Sequence, residues 1–344
     1  MKIYKILTGL VVAAGLLSSC KNDDAPFPDF NYSTVYFANQ YPLRTVVLGE
    51  DLFVDNSLDN QHKISIKATM GGVYENKKDV VIDVKVDETL LDNLYFNNGG
   101  SKIAAMPAQY YQLTSNKLTI PSGNILGGVD VQLTDAFFAD PKALTRNYVI
   151  PLVMTNVSGA DSILKGTPTT ANPSRVVPLN WTTRPKDYVL YAVKFVNPWQ
   201  ANYLRRGVDQ ITPAGGSPTS ATRHATYVEN DQLVSTTTSS LKSVTLPLTI
   251  KNSTGNNVPF TLVLTFADNG TCTVGSNSAD FEISGTGKFV SKGEKNSIGG
   301  ADRSAIYLDY TVNFKNLNLR YATKDTLVVR DRGIKAEYFD VEKK

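Results

Sequence analysis

Apolar and polar residues alternate with a period of two along most of this chain. Val80, Ile82, Val84 and Val86 interleave with Val81, Asp83, Lys85 and Asp87, and Lys63 to Lys67 repeats the scheme. A period of two places alternate side chains on opposite faces of a strand, so each run predicts a β-strand with one apolar face. Tyr148–Thr155 and Val129–Leu133 add further strands, and Pro151 inside one of them predicts an edge strand or a bulge. Glycine- and proline-rich breaks at 71–72, 98–100, 121–123 and 127–128 separate the runs. Helical pattern is confined to short pieces at 88–95 and 140–144. Roughly seven strands between residues 34 and 180 predict an immunoglobulin-like β-sandwich. Residues 166–186, rich in Pro, Thr and Asn, read as a connection. Beyond it the alternation is cleaner: Val244 to Ile250, Phe260 to Phe266 and Ile306 to Phe314 each present one apolar face. Asp268-Asn269-Gly270 is a hairpin turn, since Asn and Gly tolerate the positive φ it needs. Counting Tyr188–Val196 and Thr323–Arg330, about eight antiparallel strands fill residues 181–344. That number predicts an up-and-down, lipocalin-like β-barrel. The fold expectation is therefore all-β, a sandwich followed by a barrel.

The first 20 residues break this pattern. Lys2 and Lys5 precede an apolar run from Ile6 to Leu17, then Ser18, Ser19 and Cys20. A basic start, a short apolar stretch and small residues form a secretory signal peptide, expected to cover residues 1–19. The run is short of the roughly 20 residues that span a bilayer. Leu17-Ser18-Ser19-Cys20 resembles the lipobox of bacterial lipoproteins, in which the cysteine is acylated after cleavage. Lys21-Asn22-Asp23-Asp24 resembles the signal that carries Bacteroidota lipoproteins to the outer face of the outer membrane. Residues 20–33 are then a lipidated flexible tether, and the expected location is the outer membrane, facing the cell exterior.

Charge and cysteine content narrow the functional classes. Loss of Lys2 and Lys5 takes the formal net charge from +3 to +1, which argues against nucleic-acid binding. With Cys20 acylated, Cys272 has no disulfide partner and reads as a buried strand residue. His62 and His224 are the only histidines, fall in different predicted domains, and have no neighbour at metal-ligand spacing. No metal and no cofactor are expected. Ser284-Gly285-Thr286-Gly287-Lys288 lacks both the first glycine and the Ser or Thr after the lysine that a phosphate loop requires.

Aromatic and acidic residues remain as candidate chemistry. Sugars offer C–H faces that stack on Trp and Tyr rings, and hydroxyls that pair with charged side chains. Trp199 and Tyr203, followed by Arg205 and Arg206, stand after a strand that stops at Pro198, and form the expected ligand-binding site. In the competing reading Trp199 plugs one end of the barrel and the arginines pair with acidic groups. Trp181 comes next as a ligand candidate, against interdomain packing. Arg330 and Arg332 read as members of structural ion pairs. Glu50, Asp51, Asp55, Asp59, Asp87, Glu88, Glu282 and Asp309 leave a glycoside hydrolase open, because two carboxylates about 5–10 Å apart suffice for that chemistry. Most of these alternate outward on strands, so no catalytic set is assigned.

Several stretches carry a family resemblance: Tyr188 to Gly207 (YVLYAVKFVNPWQANYLRRG), Arg303 to Tyr310 (RSAIYLDY), Asp325 to Gly333 (DTLVVRDRG), Met106 to Tyr110 and Gly71 to Tyr74. Over essentially the whole mature chain these resemble a family of Bacteroidota surface lipoproteins. Both of its domains are catalogued as of unknown function. The family is encoded beside SusC- and SusD-like transporter components and glycoside hydrolases in polysaccharide-utilisation loci. The resemblance implies a non-catalytic, SusE/SusF-like role: capture of glycan at the cell surface beside a SusC/SusD-type uptake system. The alternative is a structural or interaction lipoprotein of an outer-membrane complex without a sugar site.

Overall fold

The computed structural model describes residues 30–344 apart from Asn98 and Ser253. Cys20, the signal peptide and most of the tether lie outside the described residues. What is described is nearly all β. No helix among the described residues is long and apolar enough to cross a membrane.

The first unit is one twelve-stranded sheet that folds back on itself. Val35, Ile64, Ile66, Leu118, Val129 and Val131, from one half, share a buried core with Ile82, Ile150, Leu152, Val189 and Val193 from the other. This is the expected sandwich-like layering, in which the predicted period of two sets the inward faces. The strands Tyr148–Ser158 and Tyr188–Val196 depart from alternation for a physical reason. They pair with each other at the centre of the sheet and are covered on both faces. Strands buried on both faces read as continuous apolar runs.

Three sequence expectations change here. The strand Tyr188–Val196, counted toward the barrel, belongs to the first sheet: it runs antiparallel to Tyr148–Ser158 and parallel to Pro42–Val47. The boundary expected at 180/181 therefore moves to about residue 197, and Trp181 falls inside the first unit. Pro151 is on neither an edge strand nor a bulge. It lies in a central strand, where the neighbour on one side changes from Val80–Val86 to Ala104–Ala105, so its missing N–H breaks no ladder. The bulge comes later, between Met154 and Asn156. The expected helical pieces shorten to 3-10 turns at Glu88–Leu91 and Pro141–Leu144, and a five-residue helix forms at Asp135–Ala139.

The second unit begins with Asn202–Pro213. Its strands pair as an antiparallel meander through Ser243–Lys251, Asn257–Phe266, Thr271–Gly275, Phe281–Glu294, Arg303–Phe314 and Leu319–Asp331, the last returning to Asn202–Pro213. The two short strands Gln232–Ser235 and Thr237–Ser240 follow one another in the chain and link the ends of this sheet, the first bonded to Asn202–Pro213 and the second to Ser243–Lys251. Apolar residues of these strands pack into a common interior. Asp268-Asn269-Gly270 makes the expected hairpin turn, with Gly270 at φ +80°. Cys272 is buried in this interior, and burial pushes its thiol pKa up to about 12, consistent with an inert strand residue. The Ser284–Lys288 motif lies within a strand.

After the barrel the chain returns to the first unit as a strap. Glu337–Tyr338 pairs with Pro42 and Leu43, Val341–Lys343 pairs with Leu94–Phe96, and Phe339 is buried against Phe96 and Tyr41. Arg332 fastens the units together. Its guanidinium donates to four carbonyls: Gln200 at 2.7 Å, Asn197 at 2.8 Å, Leu48 at 2.9 Å and Glu50 at 3.0 Å. The ion pair expected for Arg332 is thus replaced by carbonyl capture at the junction. Burial lowers its pKa, yet a guanidinium stays charged at neutral pH. Arg330 does lie 3.4 Å from Asp331 at the surface, an arrangement of small energetic value.

Candidate functional site

No hydrogen-bonded ladder among the described strands joins the two ends of the barrel sheet directly. Thr219–Arg223 pairs with Asn202–Pro213 alone, and residues 246–251 pair with Asn257–Phe266 alone. Between these two unpaired edges a cavity of about 400 Å³ opens into the barrel, lined by Ala221 and Arg223 on one side and Thr249 to Lys251 on the other. Tyr321 crosses the gap, its hydroxyl donating to the Lys251 carbonyl at 3.2 Å.

The strand Asn202–Pro213 supplies the floor. Alternation sends Tyr203, Arg205, Gly207, Asp209 and Ile211 inward and Arg206 outward. Arg205 donates to Asp325 at 2.9 Å, to Tyr310 at 3.2 Å and to Gln232 at 3.2 Å. Arg223 bridges the acidic pair, reaching Asp325 at 2.7 Å and Asp209 at 2.6 Å, and Thr323 donates to Asp209 at 2.8 Å. Gly207 makes room for this. A Cβ there would stand 2.3 Å from the Lys324 carbonyl and 2.4 Å from the Asp325 carboxylate. Two arginines and two aspartates balance in charge, as buried ions must. Burial pushes the Asp209 pKa up, but its bonds to Arg223 and Thr323 outweigh this and hold it below the usual carboxylate range. Arg223 is likewise disfavoured by burial but raised overall by Asp209 and Asp325.

A pH prediction follows with a definite sign. A carboxylate whose pKa is lower when folded stabilises the fold above its unfolded pKa, and that contribution vanishes as pH falls through the folded value. Resistance of the wild type to urea should weaken as pH drops below about 4. The Asp209→Asn variant should lose less stability over the same acid window. Equal acid sensitivity of the two proteins would exclude Asp209 as a contributor.

Unspent hydrogen-bonding groups face the cleft. Arg223 keeps Nη1 buried without a partner, and the Gln232 amide nitrogen has no partner among the described residues. Phe260, Tyr310, Tyr321 and Val312 add rings and apolar wall. A site with apolar rings and a few convergent polar groups is the usual form of a small-molecule pocket, typically about 300–1,000 Å³. Among the described residues no group of three or more His, Cys, Asp or Glu is placed to hold a metal.

The expected ligand residues separate. Arg205 lines the cleft. Tyr203 does not: it is wholly buried, and its hydroxyl donates to the Trp199 carbonyl at 2.8 Å, so it offers no face to a sugar. Trp199 stacks on Phe266 at 4.1 Å with the rings 5° from parallel, packed against the barrel core as the plug of the competing reading. Arg206 points outward and pairs with Asp231 at 2.6 Å. Trp181 donates its indole N–H to the Ser174 carbonyl at 2.8 Å, a structural bond within the first unit. Sequence reasoning missed Asp209, Arg223, Thr323 and Asp325. The available signal was charge at inward positions of Asn202–Pro213 and Leu319–Asp331.

Comparison with known proteins fits this division. The DUF5627 family, a domain of unknown function, matches residues 198–333, the barrel as the structure bounds it. A second family, described as an N-terminal domain, matches residues 30–161. None of the curated proteins compared matches the chain. Among solved structures, a Bacteroides ovatus protein of unknown function is 54% identical, with TM-score 0.85, covering 92% of this chain and 100% of its own. More distant are a Bacteroides ovatus multidomain protein including DUF1735 (12% identity, TM-score 0.41, 89% of this chain and 100% of its own) and an auxiliary nutrient binding protein from Bacteroides thetaiotaomicron VPI-5482 (13%, 0.37, 83% and 90%). At 54% identity over the whole of its first relative, with residues 198–333 matching the DUF5627 family, the chain belongs to the family of that Bacteroides ovatus protein.

Proposed function

We propose that this protein is a non-catalytic glycan-binding lipoprotein, anchored through Cys20 at the outer membrane, that captures oligosaccharide for a SusC/SusD-type uptake system. The observation that carries the reading is the barrel cleft. Its wall joins aromatic rings to a fixed array of charged and hydroxyl groups with unused donors, the two features a sugar ring meets with its C–H faces and its hydroxyls. Because the buried ions already satisfy one another, the array is held rigid and little ordering cost falls on binding. Cys20 and the acidic residues after it support the location, and the family resemblance supports the transport context.

The test is steric. Ala221 faces the cleft from an edge strand, so Ala221→Trp fills the cavity without removing any ion. Calorimetry of the purified chain against a panel of host and dietary glycans should show binding to at least one. Ala221→Trp should weaken it by about tenfold or more, equivalent to ~1.4 kcal/mol, with the melting temperature nearly unchanged. Undiminished binding by this variant would place the sugar elsewhere. Release of shortened products from any glycan would instead identify an enzyme.

A further inference from the structure

A second cavity, of about 350 Å³, lies in the first unit where the C-terminal strap crosses the strand Pro42–Val47. It shares no lining residue with the barrel cleft. Its floor is Tyr191, whose ring packs against the sandwich core. Burial pushes the Tyr191 hydroxyl pKa up to about 12, so it is a neutral donor and acceptor, and it has no hydrogen-bond partner among the described residues. Beside it Arg44 spends two nitrogens, on Asp59 at 2.5 Å and on the Thr45 carbonyl at 2.5 Å, and keeps its Nε unpaired among the described residues. Asn39 lines the cavity with its amide likewise unused. The strap contributes Tyr338, 60% exposed, at the rim.

A tyrosine hydroxyl that lines a pocket and spends no bond on the protein can donate to and accept from a ligand, and an exposed tyrosine at a pocket rim is a ready stacking face. The charges select among ligands. Asp51, Asp55, Asp59 and Glu337 outnumber Arg44 and Lys335 in the lining by two, and like charge disfavours an anion. We propose that this pocket is a second carbohydrate site, independent of the barrel cleft, that takes an uncharged pyranose stacked on Tyr338 with its hydroxyls on Tyr191, Arg44 and Asn39. The strap that latches the two units together would then also build the site's outer wall.

Saturation-transfer NMR on the purified chain tests this, using the methyl pyranosides of glucose, galactose, mannose and N-acetylglucosamine, with methyl glucuronide as the acidic control. At least one neutral glycoside should bind. Tyr338→Ala should weaken it by about tenfold and Tyr191→Phe, which keeps the ring and the packing, by about threefold. Ala221→Trp should leave it unchanged. No binding by any neutral glycoside, preference for the glucuronide, or wild-type binding by both tyrosine variants would overturn the proposal. Loss with Ala221→Trp alone would overturn it while upholding the cleft. Loss with the tyrosine variants alone, for the oligosaccharides that bind the chain, would uphold it and overturn the cleft.

Discussion

Replacing Arg332 with methionine is expected to lower the unfolding free energy by about 3–5 kcal/mol and to split one thermal transition into two. The methionine keeps the apolar stem but removes every donor to the four carbonyls of Leu48, Glu50, Asn197 and Gln200. Each buried acceptor left without a partner costs about 1–3 kcal/mol, less where water enters. The four carbonyls come from two loops of different strands, so the loss falls on the contact between units and not on either core. Differential scanning calorimetry reads both effects. A single transition, shifted by less than about 2 °C, would show that the junction does not depend on this guanidinium. Arg332→Lys should recover little, because one ammonium has three donors and lacks the planar fork that reaches four carbonyls.

The second large effect concerns Asp325. Its carboxylate holds Arg205, Arg223 and the Tyr310 hydroxyl in the barrel interior. Asp325→Ala leaves two arginines facing each other with only Asp209 to balance them, and should cost about 3–5 kcal/mol, the usual result of removing one member of a buried ion pair. Lys324→Ala is the control. Lys324 is the adjacent residue but points to solvent, 3.5 Å from the exposed Asp309, and its loss should cost no more than about 0.5 kcal/mol. Chemical denaturation of the three proteins decides the matter. Similar midpoints for both variants would mean that the interior network carries no net stability.

The strands were legible wherever one face is wet. Val80–Val86, Ser243–Lys251, Asn257–Phe266 and Arg303–Phe314 follow the period of two closely. Their partners were not legible, because alternation identifies a strand without naming its neighbour. Tyr188–Val196 therefore went to the wrong unit: its parallel partner, Pro42–Val47, lies about 150 residues earlier. The candidate site failed for a related reason. Trp199 and Tyr203 stand near a strand end, where exposed aromatics are common, but Tyr203 is the second residue of Asn202–Pro213 and its phase turns it inward. That phase was obscured because Arg205 and Asp209 occupy interior positions, where apolar residues are the rule. The same irregularity marks the cleft. Charged residues on the inward phase of a barrel strand were the clue to a polar interior, and the alternation argument reads them as noise.

The return of the chain to its first unit has a mechanical consequence. The barrel is inserted between Val196 and Glu337, so it hangs from the sandwich by two stems instead of one. A load on the barrel directed away from the sandwich would pull on both. The first stem continues into Tyr188–Val196, which is bonded through residues 188–193 to Tyr148–Ser158 on one side and through residues 192–196 to Pro42–Val47 on the other. Tension along that strand loads these bonds together in shear, whereas a strand peeled from one end surrenders them singly. The second stem, the strap, is anchored by Phe339 and by two short ladders, and is the weaker link. Under load the strap should yield first, leaving the barrel attached by the sheared central strand.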